Sequence, residues 1–148
     1  MTIIIRDAVE RDIPAIFDVR TSVRENHLSI EQMAAFGITH QTILEALHKA
    51  PCIWVAVHDG RIVGFSMGKA EDSCLFAAFV RPEWQGQGIG RLLVERAEAF
   101  LFEHCRSIWL RTDGASRAAG FYEQLGWKRT SVENGETRFE KHRPTRNG

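Results

Sequence analysis

The sequence predicts a mixed α/β fold: a largely antiparallel, twisted sheet of six to seven strands that holds one parallel pair and is flanked by helices. Three observations predict it. Two pairs of β-branched and aromatic runs are joined through Asp59-Gly60 and Asn134-Gly135, dipeptides that favour tight hairpin turns. Between Leu75 and Thr112 a strand-like run, a long amphipathic segment and a second strand-like run follow one another, a passage that brings the chain back parallel to itself through a right-handed crossover. Finally, 148 residues with 44% hydrophobic content suit one compact domain around one core. Residues 1–142 are read as that domain and 143–148 as a flexible basic tail.

Taken in order, Thr2 to Arg6 is a β-branched first strand. Asp12 is placed to cap a helix with Pro14 in its first turn and with Ile13, Ile16, Phe17 and Val23 at near-helical spacing. Ser29-Ile30-Glu31-Gln32 reads as a capping box opening a short helix toward Phe36-Gly37. Thr42 to His48 is a third helical piece, with Ile43, Leu44 and Leu47 on one side. This helical stretch is placed to form a substrate lip. Cys52–Val57 and Ile62–Met67 make the first hairpin, and Leu75–Val80 the next strand, small at Ala77 and Ala78, which leaves room for a group to lie along it. From Ile89 to Cys105 the apolar Leu92, Leu93, Ala97, Phe100 and Leu101 share a face that Arg91, Glu95, Glu98 and Glu103 avoid, as an amphipathic helix requires. Ser107–Thr112 is a strand, and Asp113 to Ser116 a turn and cap. A helix then carries Ala118, Ala119, Phe121, Tyr122 and Leu125 to Gly126, a suitable C-terminal stop. Trp127–Val132 and Thr137–His142 form the last hairpin, so the order is β-α-α-β-β-β-α-β-α-β-β.

Lys+Arg and Asp+Glu balance at 19 each, so no general attraction to nucleic acid or anionic lipid is expected. No apolar run reaches the roughly 18 residues of a membrane span, and charge follows Ile5 at once, unlike a signal peptide; a cytoplasmic protein is expected. Cys52, Cys74 and Cys105 are too widely spaced for a metal or disulfide framework and are read as buried free thiols. His40, His48, His58, His104 and His142 lack ligand spacing, so no metal is assigned. Trp54, Trp84, Trp109 and Trp127 sit on strands or strand ends, where packing explains them better than a cation cage.

The stretch from Val80 to Arg91 joins a strand to a helix through Gly86, Gly88 and Gly90. Glycines permit positive φ and close approach to the main chain, and a helix starting at the last of them presents unpaired amides with the positive end of its dipole. That is an anion site suited to a phosphate, although the same residues also serve an ordinary glycine-rich turn. A triphosphate loop would need Gly-Lys-Ser/Thr and a dinucleotide fingerprint Gly at position 91, where this chain has Arg91.

Gln85-x-x-Gly88-x-Gly90 after a strand ending Val80-Arg81-Pro82 resembles the coenzyme A pyrophosphate loop of the GNAT superfamily of N-acetyltransferases, and Ala118-x-x-Phe121-Tyr122-x-x-x-Gly126-Trp127 resembles a second segment of that family. The element order is also the family's. The resemblance implies a GNAT fold whose parallel strand pair splays to bind coenzyme A. It further implies direct acetyl transfer from acetyl-CoA to an amine in a ternary complex, without metal. Gln85, Gly86, Gln87, Gly88, Ile89, Gly90 and Arg91 would hold the pyrophosphate, and main-chain groups near Phe79 and Val80 the pantetheine arm. An N–H near Ala78 or Phe79 would polarise the thioester carbonyl, though Phe79 suits a plain core aromatic equally well. Tyr122 would be the general acid that protonates the departing thiolate; its packing alternative is a tyrosine seating a helix on the sheet. Many relatives carry Asn where this chain has Ala115, leaving Ser116 as a weaker substitute contact to coenzyme A.

For a base or acceptor-site group, Glu25, His27 and Glu31 are candidates, with Glu71, Asp72 and Asp113 behind them. The acceptor, a small-molecule or peptide amine, is expected beneath the Arg24 to His48 segment and the last hairpin, and the resemblance admits a homodimer. The alternative function is a catalytically silent acyl-CoA-binding or regulatory module that uses the same loop.

Overall fold

The computed structural model describes residues 2–24 and 27–145. Within them the strands are β1 (Ile4–Asp7), β2 (Ile53–His58), β3 (Arg61–Lys69), β4 (Cys74–Val80), β5 (Ser107–Thr112), β6 (Lys128–Glu133) and β7 (Glu136–His142). The helices are α1 (Ile13–Ser22), α2 (Ile30–Ala35), α3 (His40–Lys49), α4 (Ile89–His104) and α5 (Arg117–Gln124). Among the described residues no helix is long and apolar enough to cross a membrane.

The strands form one sheet in the order β1-β2-β3-β4-β5-β7-β6, antiparallel at every pair except β4 with β5. Both predicted hairpins are present. Asp59 and Gly60 have φ of 48° and 77°, and Asn134 and Gly135 of 52° and 81°, the doubly left-handed turn that matches strand twist. Ser29 and Gln32 complete the expected capping box, Gln32 N donating to Ser29 Oγ at 3.1 Å and Ser29 N to Gln32 Oε1 at 2.8 Å.

β3 shows how the core is arranged. Its side chains alternate between the two faces of the sheet. On one face α4 lies so close that a Cβ at Gly64 would stand 2.9 Å from Leu93 Cδ1 and one at Gly68 3.1 Å from Leu101 Cγ. Between them Ser66 is fully buried and donates to Leu93 O at 2.9 Å, which removes the cost of hiding its hydroxyl. Phe65 and Met67 turn to the other face, where Ile16 and Phe17 of α1 lie. Trp54, Val55, Ala97, Leu101 and Phe139 are among the buried core, and the three thiols are buried and free.

One expectation is corrected here. Asp12 does not cap α1 with its side chain; its carboxylate accepts from Val9 N at 2.8 Å and from both Arg6 Nη atoms at 2.7 and 3.1 Å, tying β1 to the turn before the helix. α4 begins at Ile89, as the amphipathic run from that residue implies, with Gly88 as its N-cap.

Candidate functional site

The feature that sets this sheet apart lies between β4 and β5. Their ladder consists of one Cα pairing, Cys74 with Trp109, braced by Trp109 N to Ser73 O at 2.9 Å and Trp109 Nε1 to Asp72 O at 2.8 Å. Beyond that point the strands part, and the edge of β4 facing β5 is open. Which groups it presents follows from the ladder on the other side. Arg81 N donates to Val63 O at 2.8 Å, so in the antiparallel register Phe79 also directs its N–H and C=O to β3, while Ala78 and Val80 direct theirs to the open edge. Of the two sequence candidates for a carbonyl-polarising amide, Ala78 is therefore the one on that edge. Phe79's amide belongs to the ladder.

β4 runs out at Val80 directly into the glycine loop. Gly86 and Gly88 take φ of 79° and 84°, where a side chain would be strained. The first helical bond of α4 is Leu92 N to Gly88 O at 3.3 Å, so the amides of Ile89, Gly90 and Arg91 point out of the helix end with its positive dipole. Gly90 has no positive φ and packs beside Phe121, whose Cζ a Cβ there would meet at 3.4 Å, an ordinary packing distance. The two sequence motifs thus meet in space. Arg117 Nη1 lies 3.5 Å from Gln85 Oε1, and Gln85 Nε2 donates to Val80 O at 3.1 Å, so the Gln85 side chain braces the loop from within. Arg91 pairs with Glu95 one turn on at 3.2 Å.

Tyr122 follows Phe121 on α5 and is 8% exposed, its ring against Phe121, Trp127 and Phe139. Its hydroxyl makes no hydrogen bond among the described residues. Burial first, and the nearby Glu98 carboxylate second, push its pKa well above the ordinary tyrosine value, so the phenol keeps its proton at any physiological pH. Ser116 is the N-cap of α5, its hydroxyl donating to Asp113 O at 2.6 Å and accepting from Ala119 N at 3.3 Å. Asp113 Oδ1 accepts from Ala115 N at 2.9 Å, so both are occupied in the turn.

On the α1 side of β4 lies a cavity of about 210 Å³. Ile16, Phe17 and Arg20 of α1, Leu28, Met33, Ile38 and Ile43 from the helical stretch, and Phe65, Met67, Phe76, Ala77 and Phe79 from the sheet form its walls. The cavity lies under the helical stretch. The last hairpin, however, lines none of it, because β7 and β6 lie beyond β5. His27 and Glu31 do not line it either: His27 is exposed with Nδ1 3.0 Å from Val23 O, and Glu31 is exposed on the first turn of α2. Glu71 and Asp72 are exposed on the turn before β4. Glu25 lies outside the described residues.

Sequence reasoning missed Arg20. Its guanidinium carbon stands 4.2 Å over the Phe79 ring, and burial lowers its pKa. The signal was available: Arg20 falls four residues after Ile16 and three after Phe17, a charged residue on the apolar stripe of its helix. A second, more open hollow of about 560 Å³ is walled by Arg6, Arg11, Asp12, Arg61 and Arg81. Its arginines are largely engaged, Arg6 with Asp12, Arg61 with Glu83 and Arg81 with Ile62 O.

Residues 49–129 match the family model of the acetyltransferase (GNAT) domain. The chain is 34% identical over 91 residues to the peptidyl-lysine N-acetyltransferase YjaB of Salmonella typhimurium, covering 61% of this chain and 59% of that protein. It is 36% identical over 87 residues to the N-acetylaspartate synthetase of Xenopus tropicalis, covering 55% of this chain and 32% of that protein. The match thus spans less than two thirds of either relative. The PaiA N-acetyltransferase of Thermoplasma acidophilum, solved in complex with coenzyme A, superposes with a TM-score of 0.79 at 18% identity over 97% of this chain and 100% of that one.

Proposed function

The chain belongs to the GNAT acetyltransferase family, and from that premise we propose that it moves an acetyl group from acetyl-CoA to the amine of an acceptor by direct attack, with both substrates bound together. The observation that carries this reading is the open β4 edge running into the exposed amides of the glycine loop. A peptide-like pantetheine arm needs free main-chain partners along a strand, and a pyrophosphate needs convergent N–H donors at a helix start. Both requirements are met along one continuous path. The Thermoplasma relative, of the same fold, was solved in complex with coenzyme A, which agrees with that choice of ligand.

Acetyl-CoA supplies the acetyl group as an activated thioester. The amides from Gly86 to Arg91 hold the diphosphate charge, with Gln85 bracing the loop. The Ala78 amide, free of the β3 ladder, donates to the carbonyl oxygen as negative charge develops there. The acceptor nitrogen forms the new bond to the acetyl carbon, the carbon–sulfur bond breaks, and Tyr122 gives its proton to the sulfur. The raised pKa keeps the Tyr122 phenol protonated at neutral pH, so its proton is in place when the thiolate departs. The proton lost by the amine leaves through water, since the exposed His27 and Glu31 stand away from the cavity walls.

The relatives differ in what they make, one being a peptidyl-lysine N-acetyltransferase and the other an N-acetylaspartate synthetase. The acceptor must therefore be read from this chain's own pocket. Calorimetry with acetyl-CoA followed by thiol release with an amine panel tests the reading. Micromolar binding with amine-dependent release of free thiol is expected. Binding without release would make the chain a silent acyl-CoA module, and no binding at high micromolar ligand would remove the donor assignment altogether.

A further inference from the structure

We infer that the hollow of about 560 Å³ between the β2–β3 turn and the start of α1 is a second anion site, one that binds a small phosphate ester. The inference goes beyond the acetyltransferase reading and needs neither its thioester nor its acceptor.

Charge comes first. Basic and acidic residues balance over the whole chain, yet four of the nine residues walling this hollow are arginines, Arg6, Arg11, Arg61 and Arg81, against one acid, Asp12. The acids of the neighbouring elements are committed. The Asp12 side chain is 5% exposed and spends its carboxylate on Arg6 and on Val9 N. Glu83 faces Arg61, Asp59 pairs with His58 at 3.3 Å and Asp7 with Arg96 at 3.5 Å. Glu10 and Asp18 are exposed and wall none of the hollow. Setting Asp12 and Glu83 against the four arginines leaves two positive charges, close to what a phosphate monoester neutralises at pH 7.

The contacts that hold these arginines orient them without using them up. A guanidinium has five N–H donors. Arg81 gives its Nε to Ile62 O at 3.0 Å, and Arg81 N donates to Val63 O at 2.8 Å, which leaves both Nη groups without a partner among the described residues. Arg61 meets Glu83 only at 3.7 Å, with both side chains more than half exposed, a contact of little strength. Arg11 has no hydrogen bond or ion pair among the described residues and acts on Asp12 through space alone. The planar fork of arginine matches phosphate oxygens in pairs, and several forks around one hollow suit a tetrahedral group better than a flat carboxylate.

Shape supplies the rest. Ala15, Val57 and Ile62 add apolar wall, which favours an ester with a body over the bare ion, and the volume is that of a small-molecule site. The site is also separate from the glycine loop. Val63, next to Ile62, packs with Ile89 and Leu93 of α4, whereas the hollow has Ala15 of α1 in its wall. The sheet thus stands between the two, and an ester in the hollow and a diphosphate at the start of α4 are bound together.

The test is calorimetry on the full chain saturated with acetyl-CoA, which fills the glycine loop, against AMP, glycerol 3-phosphate, inorganic phosphate, malonate and a hexaglutamate peptide. At least one ester should bind at a single site with submillimolar affinity, about tenfold or more tighter than the other three probes, and more weakly in high salt. Arg11→Gln, at an exposed position with no contact to lose, should weaken the ester about tenfold, the worth of one charge-assisted hydrogen bond, and Arg61→Gln should weaken it as well. Arg106→Gln, exposed between α4 and β5, removes the same charge elsewhere and should leave binding unchanged. Unaltered acetyl-CoA affinity shows that each variant is folded. No ester bound by a protein that binds acetyl-CoA would overturn the inference. So would an ester displaced by acetyl-CoA, phosphate, malonate or the peptide bound as tightly as the esters, or equal ester affinity in Arg11→Gln and Arg106→Gln. If acetyl-CoA itself fails to bind, the donor reading falls, while the ester titrations of Arg11→Gln and Arg106→Gln still decide the hollow.

Discussion

At the scale of single residues, Tyr122 is unusual in being the one tyrosine of the chain, so its ionisation can be followed without interference. An ordinary tyrosine loses its proton near pH 10. Here burial and Glu98 raise the folded-state value above that. The preference for the protonated phenol supports the fold fully below about pH 10 and is lost as pH climbs through the raised folded value, while the unfolded chain deprotonates first. Tyrosinate absorbance of the native protein should therefore be missing at pH 10, where the denatured protein shows about half of it, and should appear only with alkaline unfolding. An ordinary native titration near 10 would contradict the buried environment. The role of the hydroxyl is a separate matter, tested by Tyr122→Phe. With no hydrogen bond among the described residues to lose, that change should leave stability and acetyl-CoA affinity within about twofold and lower kcat on the order of a hundredfold, the usual contribution of a general acid. A drop in affinity larger than the drop in kcat would assign Tyr122 to packing alone.

Among the elements, the junction of β4 with α4 shows what local sequence reveals and where it stops. The glycine spacing located the anion loop, and Gly86 and Gly88 do use positive φ. Gly90 carries the same letter without a positive φ, and its neighbour Phe121 comes from α5, a contact that no local pattern discloses. Arg20 is the mirror case: its place on the apolar stripe of α1 was readable, but its meaning depends on Phe79 in a distant strand. At Gly88 strain and charge can be separated. A Cβ there meets nothing within 4 Å, while φ of 84° strains most side chains and is tolerated best by Asn and Asp. Gly88→Asn should thus keep the loop and weaken acetyl-CoA binding modestly. Gly88→Asp, of the same shape with a negative charge beside the diphosphate, should bind about tenfold or more weaker than Gly88→Asn, and the gap should narrow in high salt. Equal affinities of the two variants would place the diphosphate elsewhere.

Over the whole molecule, the order of elements was legible because each is written in local patterns, such as Asp-Gly and Asn-Gly turns, the Ser29–Gln32 box and the helical stripe of α4. The pairing order was less so. β7 lies between β5 and β6, and β4 leaves β5 after a single pairing; both depend on contacts between segments far apart in sequence. Glu98 shows the same limit at one residue, since the helical wheel puts it on the polar face whereas the fold buries it to 8% exposure. Its carboxylate accepts from Trp127 Nε1 at 3.0 Å and from Lys141 Nζ at 2.8 Å, and Lys141 also donates to Leu125 O at 2.8 Å. One buried acid thus joins α4, the end of α5 and β7, closing the half of the sheet beyond the splay onto the half before it. Removing it strands Trp127 Nε1 and leaves the Lys141 charge without its counter-ion, so Glu98→Ala should cost about 3 kcal/mol, near the lower bound for breaking a buried pair because Lys141 keeps its bond to Leu125 O and 20% side-chain exposure. For a chain of this size that is a fall of roughly 10 °C in Tm. Glu98→Gln retains an acceptor for Trp127 and should lose about half as much. Thermal and urea denaturation decide it: a cost below about 1 kcal/mol for the alanine variant would mean that the hydrophobic core alone holds the two halves of the sheet at the angle that keeps the β4 edge open.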